Sequence, residues 1–117
     1  MKYIKKYEYV SESPKVGDYV IIITEFLPGK IKKFFDNNVG IITNIDKSHS
    51  PYDYKIFFEN IPDEIINDDI WYYFPGGSHP ELSNTDFSVE LRINQIALWS
   101  DNKEELEAYV EAKKYNL

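Results

Sequence analysis

The stretch Asn37-Asn38-Val39-Gly40-Ile41-Ile42-Thr43-Asn44-Ile45 decides the fold that the sequence predicts. Its two leading asparagines are a turn signal, and the β-branched run that follows is typical of a strand. A glycine inside such a run often marks a bulge or a close approach to the backbone. We therefore predict a strand at Val39–Ile45, with a special packing role for Gly40.

Two more strand-forming segments flank this centre. Val16–Thr24 precedes it, and its run of isoleucines predicts burial on both faces. Tyr54–Glu59 follows it and is rich in aromatic residues. Between the first two strands, Phe26–Asp36 contains the turn pair Pro28-Gly29, so we expect a loop there.

The end of the chain predicts an α-helix at 101–115. Asp101 or Asn102 can cap its start, acidic residues fill its first turn, and two lysines occupy its last turn, as the helix dipole favours. At the other end, residues 1–13 predict a short arm that docks on the body. One face of the helix is apolar and should pack on the sheet: Leu106, Tyr109 and Val110.

Composition restricts the class of protein. A chain of 117 residues with 43% hydrophobic and 16% aromatic residues predicts one folded domain and excludes a disordered one. It contains no cysteine, which excludes disulfides and thiolate sites. No apolar run approaches the roughly 20 residues of a membrane span, and the N-terminus lacks the apolar core of a signal peptide. We expect a cytoplasmic protein that does not bind membranes.

The order of these segments resembles that of SH3-like small barrels of the KOW type. The residues that carry the resemblance are a Gly-Asp start to the first strand (17–18), a Val-Gly start to the second (39–40) and the aromatic third strand. The resemblance implies a mainly β fold, an SH3-like five-stranded small barrel with an acidic aromatic insert at 60–86 and a C-terminal α-helix. Its remaining parts are a fourth strand, a tight turn and a fifth strand: Phe87–Arg92, Ile93–Gln95 and Ile96–Trp99.

The last part of the chain also resembles, loosely, small proteins of large DNA phages and viruses. The similar segments are Trp99–Leu106 and Ala112–Leu117. This resemblance implies a viral source, and hence the host cytoplasm as location, but no mechanism. The loop at Glu25–Phe35 departs from peptide-binding SH3 domains, because it is basic and shows no clear acidic-aromatic signature. Binding of polyproline ligands is therefore not expected.

The negative charge of the chain is concentrated in one segment. Residues 56–91 contain eight acidic residues and no lysine or arginine, against a net charge of −7 for the whole chain. The same segment contains a run of four aromatic residues. Aromatic side chains supply contact area, and carboxylates steer the encounter with a basic partner. We predict that the insert binds a protein partner of basic character through eight residues: Trp71, Tyr72, Tyr73, Phe74, Asp63, Glu64, Asp68 and Asp69.

The competing interpretation is that these aromatic residues complete the core, while the acids only keep the loop soluble. If Ile70–Phe74 is instead an exposed strand, its unpaired edge invites self-association. We accordingly expect a monomer or a weak homodimer.

Nucleic acid is a poorer fit as a partner. Lys30, Lys32 and Lys33 lie beside two phenylalanines, which is a weak signal for phosphate contact. The acidic total repels polyanions, and Arg92 is the only arginine available for bidentate base contacts.

No enzyme, cofactor or metal site is predicted. His49 and His79 form no zinc-binding or triad pattern, and Asp68-Asp69 lacks the spacing of a calcium loop. The sequence therefore predicts a non-enzymatic protein-binding module. The alternative is an acidic inhibitor that imitates nucleic acid and blocks a DNA-binding enzyme.

Overall fold

A computed structural model describes residues 13–48, 53–66, 73–74 and 87–115 of the chain. The described part is mainly β, with five strands, three α-helices and one short 3-10 helix. In chain order these elements are β1 (Tyr19–Ile22), α1 (Gly29–Asp36), β2 (Gly40–Asp46), β3 (Asp53–Phe58), α2 (Asp63–Ile66), β4 (Phe87–Arg92), the 3-10 helix (Ile93–Gln95), β5 (Ile96–Ser100) and α3 (Lys103–Tyr115).

The five strands form one antiparallel sheet in the order β4-β3-β2-β1-β5. Neighbours in the chain are neighbours in the sheet, except that β5 returns to pair with β1. The five predicted strands and the C-terminal helix are confirmed, although β1 is shorter than the predicted Val16–Thr24. The expected tight turn between β4 and β5 is the 3-10 helix, in which the Gln95 side chain accepts a hydrogen bond from the backbone N–H of Arg92 at 3.0 Å.

The prediction of a loop at Phe26–Asp36 was wrong, because most of this segment is helix α1. Ile31 and Phe35 lie four residues apart and are both buried, so they form one apolar stripe against the sheet. On the exposed side, Lys32 pairs with Asp36, also four residues on, at 2.7 Å. The turn pair that favoured a loop marks the helix start instead, since Pro28 is the residue that precedes the first turn.

The sheet is covered on both faces near β1, as the isoleucine run predicted. Val20 and Ile22 belong to the main core cluster, whereas Ile21 belongs to a second cluster on the opposite face. The alternation follows from the two-residue period of a strand. A strand that is apolar on both faces must lie between two layers, and here those layers are the main core and helix α3.

Helix α3 covers the second face, through the apolar stripe that the sequence predicted. Leu106 and Val110 pack with Ile21 and Leu98, and Tyr109 lies at the edge of the same cluster. Its start is capped by Asn102, whose side-chain oxygen accepts hydrogen bonds from the backbone N–H groups of the second and third helical residues at 3.0 and 3.3 Å. Of the two predicted caps, Asn102 is therefore the one that the structure uses.

Gly40 is a point of close packing, as its place in the strand suggested. It is buried, and a Cβ atom built on it would lie 2.6 Å from Cγ2 of Ile56 and 2.7 Å from Cζ of Phe58. The bulge that glycine also suggested lies further along β2, where the pairing with β3 shifts between Ile42 and Asn44. Gly40 is therefore required by the side chains of β3 that cross over it.

Replacing Gly40 by alanine should destabilise the fold without changing its topology. The added methyl overlaps a branched methyl of Ile56, which cannot move without shifting β3, so we expect a loss of about 1–3 kcal/mol. Urea denaturation followed by far-UV circular dichroism measures the loss.

The matched control is Asn44→Ala, an exposed position on the same strand, which should change stability by no more than about 0.5 kcal/mol. Shortening the clashing ring by Phe58→Leu in the Gly40→Ala background should cost less than the same change in the wild type. Equal costs in the two backgrounds would show that the two sites do not interact.

Candidate functional site

The described part of the insert is anchored in the main core. Ile61 and Ile65, which lead into and through α2, are 0% and 4% exposed, and Phe74 is 1% exposed. Three side chains of this segment are thus as deeply buried as those of the sheet. The interpretation that the aromatic residues of the insert complete the core holds for Phe74.

The structure places the eight predicted binding residues in different environments. Phe74 is buried, and Tyr73 is half-buried against the same cluster. Glu64 is exposed, and Asp63 is the first residue of α2. The remaining four lie outside the described residues: Asp68, Asp69, Trp71 and Tyr72.

The β-prone run Ile70–Phe74 is not a strand at its two described positions. Tyr73 has helical backbone, and Phe74 is in irregular structure. The β-prone composition of this run is overridden by packing, because aromatic side chains are selected by burial as much as by backbone preference.

A chain of aromatic contacts connects the insert to the centre of the sheet. Phe35 of α1 packs edge-on against Phe58 of β3, with ring centroids 4.8 Å apart. Phe74 lies 5.2 Å from Phe35 and 6.3 Å from Phe87 of β4. Phe35 and Phe58, like Phe74 and Phe87, meet edge to face, and Phe35 and Phe74 are tilted; such aromatic pairs stabilise by about 0.5–1.5 kcal/mol each beyond the area that they bury. The position of Phe74 is therefore fixed from two sides.

Phe26 is the exposed end of this aromatic chain. It lies in the turn before α1, keeps 42% of its surface exposed, and packs edge-on against Phe74 with ring centroids 5.9 Å apart. The sequence predicted Phe26 only as part of a loop. No periodic pattern includes Phe26, and only the tertiary structure brings it beside the insert.

An ion pair between Lys30 and Glu64 connects the N-terminal part of α1 to the insert. The two charged atoms are 3.3 Å apart, and both side chains are more than 60% exposed, so solvent screens the pair and its contribution to stability is small. The ion pair shows instead that α2 of the insert lies beside α1. Phe26 thus precedes the start of α1, and Glu64 contacts the start of the same helix through Lys30.

The basic cluster predicted as a weak phosphate-binding signal is largely engaged within the protein. Lys30 pairs with Glu64 and Lys32 with Asp36, while Phe35 is a fully buried core residue. Lys33 is exposed on α1. Phe35 therefore anchors α1 in the core.

A polar network joins the end of β1 to the end of α1. The hydroxyl of the buried Thr24 donates a hydrogen bond to one carboxylate oxygen of Asp36, and Nζ of Lys32 donates to the other at 2.7 Å. Partial burial alone raises the pKa of Asp36. The hydrogen bonds from Lys32 and Thr24 and the charges of Lys32 and Lys113 act in the opposite direction and prevail, so that the pKa lies below the ordinary value of 3.8.

Metal-ligating side chains are dispersed in the described part of the chain. Among them no group of three or more metal-ligating side chains comes together. No helix in the described ranges has the length and apolar character that crossing a membrane requires. His49 and His79 lie outside the described residues.

Comparison with known proteins gives no family assignment: no protein-family model, no curated protein and no solved structure matches this chain.

Replacing the buried Phe74 of the insert by alanine should destabilise the protein far more than replacing the exposed Phe26. We expect Phe74→Ala to lower the free energy of unfolding by about 3–5 kcal/mol, because it leaves a cavity between three other rings. Phe26→Ala, the matched control, should lower it by about 1 kcal/mol or less. Equal losses in urea titrations of the two variants would contradict the core position of Phe74.

The lowered pKa of Asp36 predicts a dependence of stability on pH. Because folding favours the carboxylate, its contribution is fully present above the unfolded pKa and disappears as the pH falls from about 4 through the lower folded value. Asp36→Asn should therefore cost about 1 kcal/mol at pH 7 and progressively less below pH 4. Thermal unfolding measured from pH 7 down to pH 2.5 tests this.

The control for this experiment is Glu25→Gln, which removes an exposed carboxylate near the same network. Its difference from the wild type should stay within about 0.5 kcal/mol at all pH values. If the difference in stability between Asp36→Asn and the wild type does not narrow in acid, the lowered pKa of Asp36 is contradicted.

Proposed function

We propose that this protein is a non-enzymatic protein-binding module whose contact surface combines Phe26 with the acidic aromatic insert at 60–86. The observation that carries the proposal is the position of Phe26, an exposed aromatic side chain that packs on the buried Phe74 of the insert. An aromatic side chain on a rigid support loses little conformational entropy on binding, which is why such residues dominate interface energies.

The charge of the insert indicates the character of the partner. Segment 56–91 has no lysine or arginine of its own, so its field is that of eight carboxylates, offset at Glu64 by Lys30. A negative field of this kind accelerates association with a basic surface and disfavours acidic ones. We infer a basic protein as partner and not a nucleic acid.

We also propose that the sheet curls into an SH3-like small barrel, which holds this surface. Two features support it: β1 pairs with both β2 and β5, and a 3-10 turn connects β4 directly to β5. The similarity to small phage and viral proteins stays a prediction.

The alternative function, an acidic inhibitor that imitates nucleic acid, predicts a different dependence of binding on salt. Its binding should weaken steeply as salt rises, since its carboxylates replace phosphates in a basic cleft. A module anchored by Phe26 and the insert should keep most of its affinity, because apolar contact does not depend on ionic strength.

Site-specific photo-crosslinking tests the proposed surface. A benzophenone amino acid placed at Phe26 should give one discrete adduct with a host protein on irradiation in cell extract. Excess unlabelled wild type should suppress it, whereas excess unlabelled Phe26→Ala protein should suppress it much less. The adduct yield measured between 50 and 500 mM salt separates the module from the nucleic-acid mimic.

The matched control is the same photo-reactive group at Val16. This residue is 58% exposed and also apolar, but its segment precedes β1, whereas Phe26 lies in the turn before α1. Equal adducts from both positions, or none from position 26, would overturn the proposed surface. An adduct between two copies of the chain would indicate that this surface mediates self-association instead of binding a different protein.

A further inference from the structure

We propose that a groove at the C-terminal end of α1 binds an arginine side chain of the basic partner. The inference rests on the proposed function for the existence of that partner, and it adds a second contact point with its own chemistry. The groove has a volume of about 250 Å³ and lies between the α1–β2 connection, the end of β3 and helix α3. It is lined by Asn37, Asn38, Val39, Phe58, Glu59, Asn60, Lys103, Glu107, Val110 and Glu111.

The rim of the groove is acidic. Glu59 approaches from the end of β3, while Glu107 and Glu111 are one helical turn apart on α3. Against these three carboxylates the lining contains one cation, Lys103, and Glu111 also pairs with Lys114 at 3.1 Å. The formal balance of the lining residues is −2, which favours a cationic ligand.

Two asparagines add oriented oxygen acceptors. The side-chain N–H of Asn37 donates to the carbonyl of Lys33 at 2.7 Å, and that of Asn38 donates to the carbonyl of Phe34 at 2.8 Å. Each amide thus uses one N–H at the end of α1, and its oxygen is an acceptor suited to a cationic donor. Carboxylates and amide oxygens together match the five N–H donors of arginine better than the three of lysine.

Three apolar residues also line the groove: Val39, Phe58 and Val110. A long basic side chain buries its methylene stem on apolar surface while its charged head remains among polar groups. Apolar residues beside the carboxylates are what distinguishes this groove from a solvated acidic patch.

The groove also adjoins the proposed contact surface. Asn60, which lines it, is the first residue of the insert. Phe26 precedes α1 and the two asparagines follow it, and a helix of 8 residues is about 12 Å long. One partner can therefore contact Phe26 and place a basic side chain in the groove.

A direct test uses a small probe instead of the unidentified partner. N-acetyl-argininamide is titrated into the isotope-labelled protein at low salt, and amide shifts are followed by heteronuclear NMR. We expect saturable shifts at the groove residues Val39, Asn60 and Val110. N-acetyl-citrullinamide, the uncharged isostere, should produce shifts at least about five-fold smaller at equal concentration, because it lacks the charge that the rim selects.

Charge-matched variants provide the second comparison. Glu59→Gln together with Glu107→Gln should weaken argininamide binding about four- to twenty-five-fold, since each exposed ion pair contributes about two- to five-fold. Glu25→Gln together with Glu90→Gln removes the same charge at exposed positions outside the groove and should leave binding within about two-fold of the wild type. Equal weakening by both pairs, equal shifts from citrullinamide, or scattered non-saturable shifts would overturn the proposal.

Failure of the groove and failure of the proposed function give different results. Loss of the photo-adduct at position 26 with intact argininamide binding would reject the module and keep the groove. A partner adduct that forms equally well with the Glu59→Gln/Glu107→Gln protein would reject the groove as a contact point and keep the module.

Discussion

The fold depends on the close approach of two side chains of β3 to the backbone of β2 at Gly40. Any Cβ at this position would come within 3 Å of Ile56 and Phe58, so only glycine lets β3 lie at its observed distance. β2 is the middle strand of the sheet, paired with β3 on one side and with β1 on the other. The ring of Phe58 that crosses Gly40 is also the first member of the aromatic chain. Packing at one glycine therefore determines where α1, the insert and β4 meet.

The same aromatic chain makes the insert part of the fold and part of the proposed surface at once. Phe74 contacts rings from α1, from β4 and from the turn that contains Phe26. A surface aromatic residue supported in this way is held in position by the core, so binding does not have to order it. The two interpretations of the insert are accordingly compatible, because Phe74 belongs to the core and Phe26 presents the exposed face.

The distribution of ion pairs reinforces the charge imbalance between α1 and the later segment 56–91. Lys32 is committed to Asp36 and Lys30 to Glu64, so two of the three lysines of α1 are neutralised by neighbouring carboxylates. The acids of the later segment have no lysine or arginine of their own sequence to balance them. Charges that are paired locally contribute little to the long-range field, and the unbalanced carboxylates dominate it.

The sequence by itself determined the strands, the C-terminal helix and the importance of Gly40, because these depend on local periodicity, capping residues and backbone sterics. It also located the excess negative charge, because the formal charge of a segment follows directly from the number of its acidic and basic residues. It did not reveal α1, because Pro28-Gly29 signals a turn equally well before a loop and before a helix, and the stripe of Ile31 and Phe35 is only two residues long. The pairing of Phe26 with Phe74, the network around Asp36 and the groove beside Asn60 were decided by tertiary structure alone. Each joins residues distant in the chain, and no local pattern records which distant side chains will meet when the helices pack on the sheet.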